Sequence, residues 1–145
     1  MFAGVERYQL DDRLRVPLPP GDRDALKPWG WVVLSPGSGL EVHTETSLAR
    51  ERKALEDLPP SDLKEDALDE FYASAHKVTP DSQGRITLPS AWAELAGLGV
   101  KKPVIVAGRG DFMRLWSEDE WNAGAPRRRE ARARVGRGQG AKEEA

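Results

Sequence analysis

The sequence predicts an α+β fold in which a β-rich unit occurs twice, with helices between the two copies. The first observation is a repeat, since Phe2–Tyr8 aligns with Tyr72–Val78 at an offset of 70 residues. The second is the motif Asp-x3-Arg-apolar-x-apolar-Pro, present as Asp11–Pro19 and again as Asp81–Pro89. The third is a set of short alternating apolar runs, typical of half-buried strands, on both sides of a segment with helical spacing. Four matches in the same order across about 50 residues indicate an internal duplication.

Each copy predicts the same order of elements: a strand, a turn, a second strand that ends at proline, a short helix and a closing hairpin. In the first copy these are a strand up to Tyr8, the turn Asp11–Leu14, and then Arg15–Leu18, Gly21–Leu26, Trp31–Leu34 and Leu40–Val42. In the second they are a strand up to Val78, the turn Asp81–Gly84, and then Arg85–Leu88, Ser90–Gly97, Val104–Val106 and Phe112–Trp116. We expect Ser90 to be the N-cap of its helix, with Trp92, Leu95 and Ala96 facing inward. In the hairpins, Val32–Leu34 matches Val104–Val106 at an offset of 72.

Two helices are predicted between the copies, over Ser47–Leu58 and Ser61–Ala73, separated by Pro59-Pro60. The predicted organisation is therefore a first repeat over 5–47, connecting helices over 48–73, a second repeat over 74–122 and a tail over 126–145. Neither half, at roughly 50 residues, buries much apolar surface alone. We therefore expect the halves to interlock into one body with pseudo-twofold symmetry.

The net charge of −2 hides an uneven distribution along the chain. The tail over 126–145 carries +4 and the remainder −6. With one branched apolar residue, Val135, and several glycines, the tail is expected to be disordered. It either attracts phosphates or only keeps the protein soluble. No apolar run approaches the roughly 20 residues that span a bilayer, so no membrane association is expected.

The residue types give little support for an enzyme. The chain has no cysteine and two histidines, His43 and His76, without the spacing of a metal site. No Gly-x-Ser-x-Gly nucleophile motif is present. We therefore expect no catalytic residues, no cofactor and no metal.

The duplicated Asp-x3-Arg motif is the more informative chemistry. Asp11 and Asp81 can accept backbone N–H bonds and fix the turns, and Gly84 allows a positive φ there. An arginine that begins the next strand then projects from a fixed base, suited to phosphate or to the O6/N7 edge of guanine. The proposed DNA-binding residues around the turns are Arg7, Arg13, Arg15, Lys77 and Arg85. The alternative is an Asp–Arg ion pair that only holds the turn, and the two roles can coexist.

These motifs resemble those of the MraZ family, in which the Asp-x3-Arg motif is also paired. The resemblance extends over about residues 1–122. It also includes the opening Met-Phe-x-Gly, Phe71–Ala75, Leu95–Leu98 and Phe112-x3-Trp116-Ser117-x3-Trp121.

The resemblance implies two tandem AbrB-like swapped-hairpin β units in a pseudo-twofold, β-barrel-like body. It implies a cytoplasmic, nucleoid-associated, non-enzymatic transcriptional regulator that assembles as a homo-oligomeric ring of eight or twelve. Such a ring would bind direct repeats in double-stranded promoter DNA and repress its own division and cell-wall gene cluster, with Arg15 and Arg85 on the DNA-binding face. An AbrB-like antitoxin or protein-interaction module is the alternative, although antitoxins of that kind carry one copy and a toxin-binding tail.

Two departures from the family pattern concern the turns. Leu14 stands where the family usually has glycine, and a left-handed leucine costs roughly 1–2 kcal/mol. The first turn is therefore expected to differ in shape and to aim Arg15 differently. Gln83 stands where the first copy has the cation Arg13, so phosphate attraction is expected to be uneven.

Overall fold

The computed structural model describes residues 1–136 and confirms the α+β class, with antiparallel strands and five α-helices among those residues. The strands are β1 Val5–Gln9, β2 Arg15–Pro17, β3 Gly30–Leu34, β4 Leu40–His43, β5 His76–Val78, β6 Arg85–Thr87, β7 Pro103–Gly108 and β8 Phe112–Ser117. The helices are α1 Glu45–Glu56, α2 Asp62–Ser74, α3 Ser90–Leu95, α4 Glu118–Ala123 and α5 Ala125–Val135, and a 3-10 helix covers Arg23–Leu26.

Both sheets combine strands from the two halves. The six-stranded sheet has the order β1-β7-β8-β4-β3-β5, so the first strand of each half pairs with a hairpin of the other half. The hairpins meet at the centre through β4 and β8, with Leu40 opposite Leu115. The second sheet consists of β2 and β6 alone, one strand from each half. The order is therefore the same when read from either edge of the larger sheet.

The strand register corrects one detail of the repeat. Arg7 lies opposite Ile105, and its counterpart Lys77 lies opposite Trp31. Trp31 and Ile105 are therefore equivalent, so the first hairpin strands, β3 and β7, are related by an offset of 74 and not by the expected 72. The error of two residues has a physical origin: side chains alternate between the faces of a strand, so a shift of two keeps every apolar residue on its face.

The core is a single cluster to which both halves contribute. Its fully buried members include Leu10, Leu18, Leu40, Ile86 and Leu115, each at 0% exposure. Neither half therefore forms a core of its own, which agrees with the small size of each half.

The connecting helices begin at hydroxyl caps. The Ser47 amide donates to Thr44 Oγ1 at 3.1 Å and the Lys64 amide donates to Ser61 Oγ at 3.0 Å. The first helix therefore starts at Glu45, two residues before the predicted Ser47, because Thr44 and Ser47 form a reciprocal capping box. The second starts at Asp62, directly after Ser61.

The helix after the second turn differs from its prediction. Helix α3 starts at Ser90, but no side chain caps it, so the N-cap role expected of Ser90 was wrong. Leu95, predicted to face inward, is 71% exposed, whereas Ala93 is 1% exposed. A helix of six residues has room for only one buried face, and the small alanines allow it to lie close to the core.

The basic tail is more ordered than expected. Residues 126–135, predicted to be disordered, form most of helix α5, and residues 137–145 lie outside the described part of the chain. Pro126 suits the first turn of a helix, and alanine and arginine are strong helix formers. Arg128 anchors the helix because it donates to the Trp121 carbonyl at 2.8 Å and stacks on the Trp121 ring at 3.6 Å. None of the residues of α5 is buried.

Within residues 1–136, the longest helices are too short and too polar to cross a membrane.

Candidate nucleic-acid interface

The first turn is organised by one aspartate. Asp11 Oδ1 accepts the backbone N–H of Arg13 and of Arg15, both at 2.9 Å. Its other oxygen, Oδ2, accepts Arg15 Nε at 2.6 Å. The Leu14 amide donates to the Asp11 carbonyl at 3.2 Å and closes the turn. The carboxylate thus fixes both the turn and the base of the arginine that follows it.

The second turn repeats these bonds. Asp81 Oδ1 accepts the amides of Gln83 and Arg85 at 2.9 Å each, and Asp81 Oδ2 accepts Arg85 Nε at 3.0 Å. The Gly84 amide donates to the Asp81 carbonyl at 2.9 Å. The Asp–Arg ion pair considered from the sequence is therefore present in both copies. Because it uses Nε, the terminal nitrogens of each guanidinium make no hydrogen bond to the aspartate of their own turn.

The fold brings the two turns together. The Leu88 amide donates to the Leu14 carbonyl at 2.9 Å, and the Leu18 amide donates to the Gly84 carbonyl at 3.0 Å, so each half holds the turn of the other. Arg85 Nη1 also lies 3.6 Å from Asp11 Oδ2. The side chains of Arg15 and Arg85 are 26% and 25% exposed and flank the short β2–β6 pair.

Both aspartates are held in their charged form. Partial desolvation raises the pKa of Asp11, but the amides of Arg15 and Arg13 and the Arg15 guanidinium outweigh it and lower the pKa to about 2. The Arg85 amide contributes most to lowering the pKa of Asp81. Desolvation acts in the opposite direction and raises this pKa, whereas the Gln83 amide and the Arg85 side chain lower it further. At neutral pH each turn therefore carries a charged Asp–Arg pair.

Leu14 adopts the left-handed conformation, with φ of 58°, as Gly84 does with φ of 75°. The expectation that the first turn would differ in shape was therefore wrong. Leu14 is partly buried and packs against the core, and this contact offsets part of the strain.

Arg7 and Lys77 occupy equivalent strand positions, yet their contacts lie away from the Asp-x3-Arg turns. Arg7 forms an ion pair with Glu118 at the start of α4, and this hydrogen bond raises the pKa of Arg7. Lys77 Nζ lies 4.1 Å from the centre of the Trp29 ring, whose Nε1 donates to Glu45 at 2.7 Å. Arg15 and Arg85 are thus the pair brought together, whereas Arg7 pairs with the start of α4 and Lys77 lies over an indole ring.

Comparison with known proteins adds to this geometry. A family model described as "MraZ protein, putative antitoxin-like" matches residues 71–134. A protein of Dehalococcoides mccartyi named transcriptional regulator MraZ is 32% identical over 127 residues, which cover 85% of this chain and 87% of the relative. The chain belongs to the MraZ family. Relatives with the same name from Corynebacterium urealyticum and Mycobacterium ulcerans are 35% and 32% identical over 122 and 123 residues, or 83% and 84% of this chain and 84% and 85% of each relative.

The remaining cations near the turns differ between the halves of this MraZ-family chain. Arg13 is exposed at the first turn, where the second has the exposed but neutral Gln83. Arg23, which sequence reasoning missed, lies against the second turn, and its Nε donates to the Leu18 carbonyl at 3.3 Å. The sequence signal for Arg23 was weak. This arginine lies in the short helix after Pro19, and the matching residue of the second copy is Ala93, so the repeat does not mark the position.

A partly buried cluster elsewhere in this MraZ-family fold contains three residues of metal-ligating types. Ligand atoms of Glu41, His43 and Glu51 lie within 4.8 Å of one another. The His43 nitrogens are already bonded, to Ser47 Oγ at 2.8 Å and to Glu41 Oε1 at 2.9 Å, and Arg114 lies 3.7 Å from Glu41. A nearby arginine opposes a second cation, so the arrangement is better explained as a polar network that joins α1 to β4.

Proposed function

We propose that this chain is a sequence-specific transcriptional regulator that binds double-stranded promoter DNA through its two Asp-x3-Arg turns. The single observation that carries the proposal is that Arg15 and Arg85, each bonded at Nε to its own aspartate, both lie beside Asp11 Oδ2, at 2.6 and 3.6 Å. The names of the relatives support the regulatory role.

The geometry suits DNA for a chemical reason. With Nε bonded to the aspartate, each guanidinium retains terminal N–H groups, which can pair with the O6 and N7 atoms of guanine or with a phosphate. A two-stranded ribbon such as β2–β6 fits the width of the major groove. Fixing the base of each arginine before binding reduces the entropy cost of ordering it in the complex.

The finer features follow from the family resemblance and the repeat. We place the two halves as AbrB-like swapped-hairpin units in a pseudo-twofold, β-barrel-like body. We expect a homo-oligomeric ring of eight or twelve on the nucleoid that binds direct promoter repeats and represses its own division and cell-wall gene cluster. At a net charge of −2, non-specific attraction is weak. Affinity then depends on a few arginines, multiplied when the spacing of repeats matches that of subunits.

The proposal is tested by native mass measurement with and without a duplex carrying the upstream region of the protein's own operon. We expect a mass of eight or twelve protomers, and a complex with that duplex that dissociates steeply as salt is added. An unrelated duplex of equal length is the control. Equal binding to both duplexes would contradict sequence specificity, and binding to neither would contradict DNA binding.

An antitoxin-like protein-interaction module is the second candidate, favoured by the description of the matching family model. It predicts a stoichiometric complex with a toxin protein. The same mass measurement separates the candidates, because an antitoxin without a DNA role would shift in mass only with a toxin encoded beside it.

A further inference from the structure

We propose that Arg23 is a phosphate-binding residue that completes the second turn from the other half of the chain. This inference rests on the proposed DNA binding and extends it to a residue that the paired motifs do not contain.

The side chain of Arg23 lies directly over Gly84. A methyl group placed on the Gly84 Cα would come within 2.4 Å of Arg23 Nε and 2.5 Å of Arg23 Cδ. Together with the 3.3 Å bond from Arg23 Nε to the Leu18 carbonyl, this contact fixes the guanidinium at the turn. Gly84 therefore serves two purposes: it adopts a φ of 75°, and it leaves room for an arginine.

The charge of Arg23 has no ion-pair partner among residues 1–136. Arg15 and Arg85 each pair with an aspartate, whereas Arg23 makes its hydrogen bond to a backbone carbonyl through Nε. Its terminal nitrogens are therefore not committed to a carboxylate. An arginine held at its base with free terminal N–H groups has the geometry that phosphate oxygens require.

Arg23 also supplies the cation that the second motif lacks. The first turn carries Arg13, and the second carries neutral Gln83 at the matching position. The repeat places Ala93, at 1% exposure, where the first half has Arg23. Among residues 1–136, Arg13 is thus the cation beside the first Asp–Arg pair, and Arg23 from the other half is the cation beside the second. The uneven phosphate attraction that Gln83 led us to expect is therefore balanced by Arg23, which the fold brings to the second turn from the other half.

The test compares Arg23→Gln with Arg52→Gln, which removes an exposed arginine from α1 without touching either turn. Affinity is measured as a function of salt on two duplexes: the upstream region of the protein's own operon and an unrelated sequence of equal length. We expect Arg23→Gln to weaken binding by about tenfold on both duplexes, because a phosphate contact carries no sequence information. The slope of log affinity against log salt should fall by about 0.9 per protomer bound. Arg52→Gln should change neither quantity.

A second variant separates charge from packing. Gln83→Lys in the Arg23→Gln background restores a cation on the same turn, so we expect it to recover both the affinity and the salt slope. An unchanged slope for Arg23→Gln, while the wild-type protein binds DNA, would overturn the role of Arg23 and leave the proposed function intact. A loss that Gln83→Lys does not recover would also overturn it, in favour of a packing role. If the wild-type protein binds neither duplex, the proposed function itself fails.

Discussion

The two Asp-x3-Arg turns reach the same shape from different sequences. Both aspartates accept two amides at 2.9 Å and one arginine Nε, although the left-handed residue is Leu14 in one turn and Gly84 in the other. The comparison shows that the aspartate and the arginine determine the turn. The left-handed residue is determined by its surroundings, since Leu14 packs against the core and Gly84 lies beneath Arg23.

The largest effect is expected for Gly84→Ala. A positive φ at a residue with a side chain costs roughly 1–2 kcal/mol, and the new methyl group also displaces Arg23. Gly110→Ala is a matched control because Gly110 has φ of 83° and open space around it. We expect chemical denaturation to give both variants a similar loss in the free energy of unfolding, and DNA binding to weaken only for Gly84→Ala. Equal DNA affinities of the two variants would show that Arg23 does not depend on Gly84.

A smaller effect, dependent on pH, is expected for Asp11→Asn. The pKa of Asp11 is lowered to about 2 from an unfolded value near 4, so its charge stabilises the folded protein above pH 4 and that stabilisation is lost as the pH falls towards 2. The difference in unfolding free energy between the wild-type protein and Asp11→Asn should be greatest at neutral pH and shrink through this window. It is measured by urea denaturation at a series of pH values. A difference that stays constant from pH 7 to pH 2 would contradict the charged pair.

The smallest effect is expected for Leu14→Gly, which gives the first turn the residue type of the second. The substitution relieves roughly 1–2 kcal/mol of left-handed backbone strain. It also removes a partly buried side chain, whose burial stabilises the folded protein by a similar amount. The net change in unfolding free energy should therefore stay within about 1 kcal/mol. A loss well above 2 kcal/mol in thermal or chemical denaturation would show that packing, and not turn shape, determines the residue at this position.

The local elements were largely predictable from the sequence. Turn residues and proline-ended strands are short-range signals, and the Asp-x3-Arg motifs are where the sequence placed them, whereas the cap expected at Ser90 is absent. The internal repeat also indicated two units that share a core, because each is too small to have its own.

The features that were missed depend on contacts between residues that are far apart in the sequence or in different elements. The offset between β3 and β7 was two residues too small because strand alternation hides such a shift, and the pairings of Arg7 with Ile105 and of Lys77 with Trp31 resolve it. The contact of Arg23 with Gly84 joins residues about 60 positions apart, and no local pattern shows it. In α5, Arg128 stacks on Trp121, a contact between two helices that composition alone does not reveal.

The central claim is that Arg15 and Arg85 form one DNA-binding surface. It is tested most directly by titrating the duplex from the protein's own upstream region with Arg15→Ala, Arg85→Ala and the double variant, with the exposed Arg109→Ala as control and with native masses recorded for all four. We predict that each single variant loses about tenfold or more in affinity, since a base-contacting arginine contributes about 1–3 kcal/mol. The double variant should lose more still, the control should bind as the wild type does, and the oligomer should be unchanged. Wild-type affinity in the double variant, with the oligomer intact, would contradict the claim.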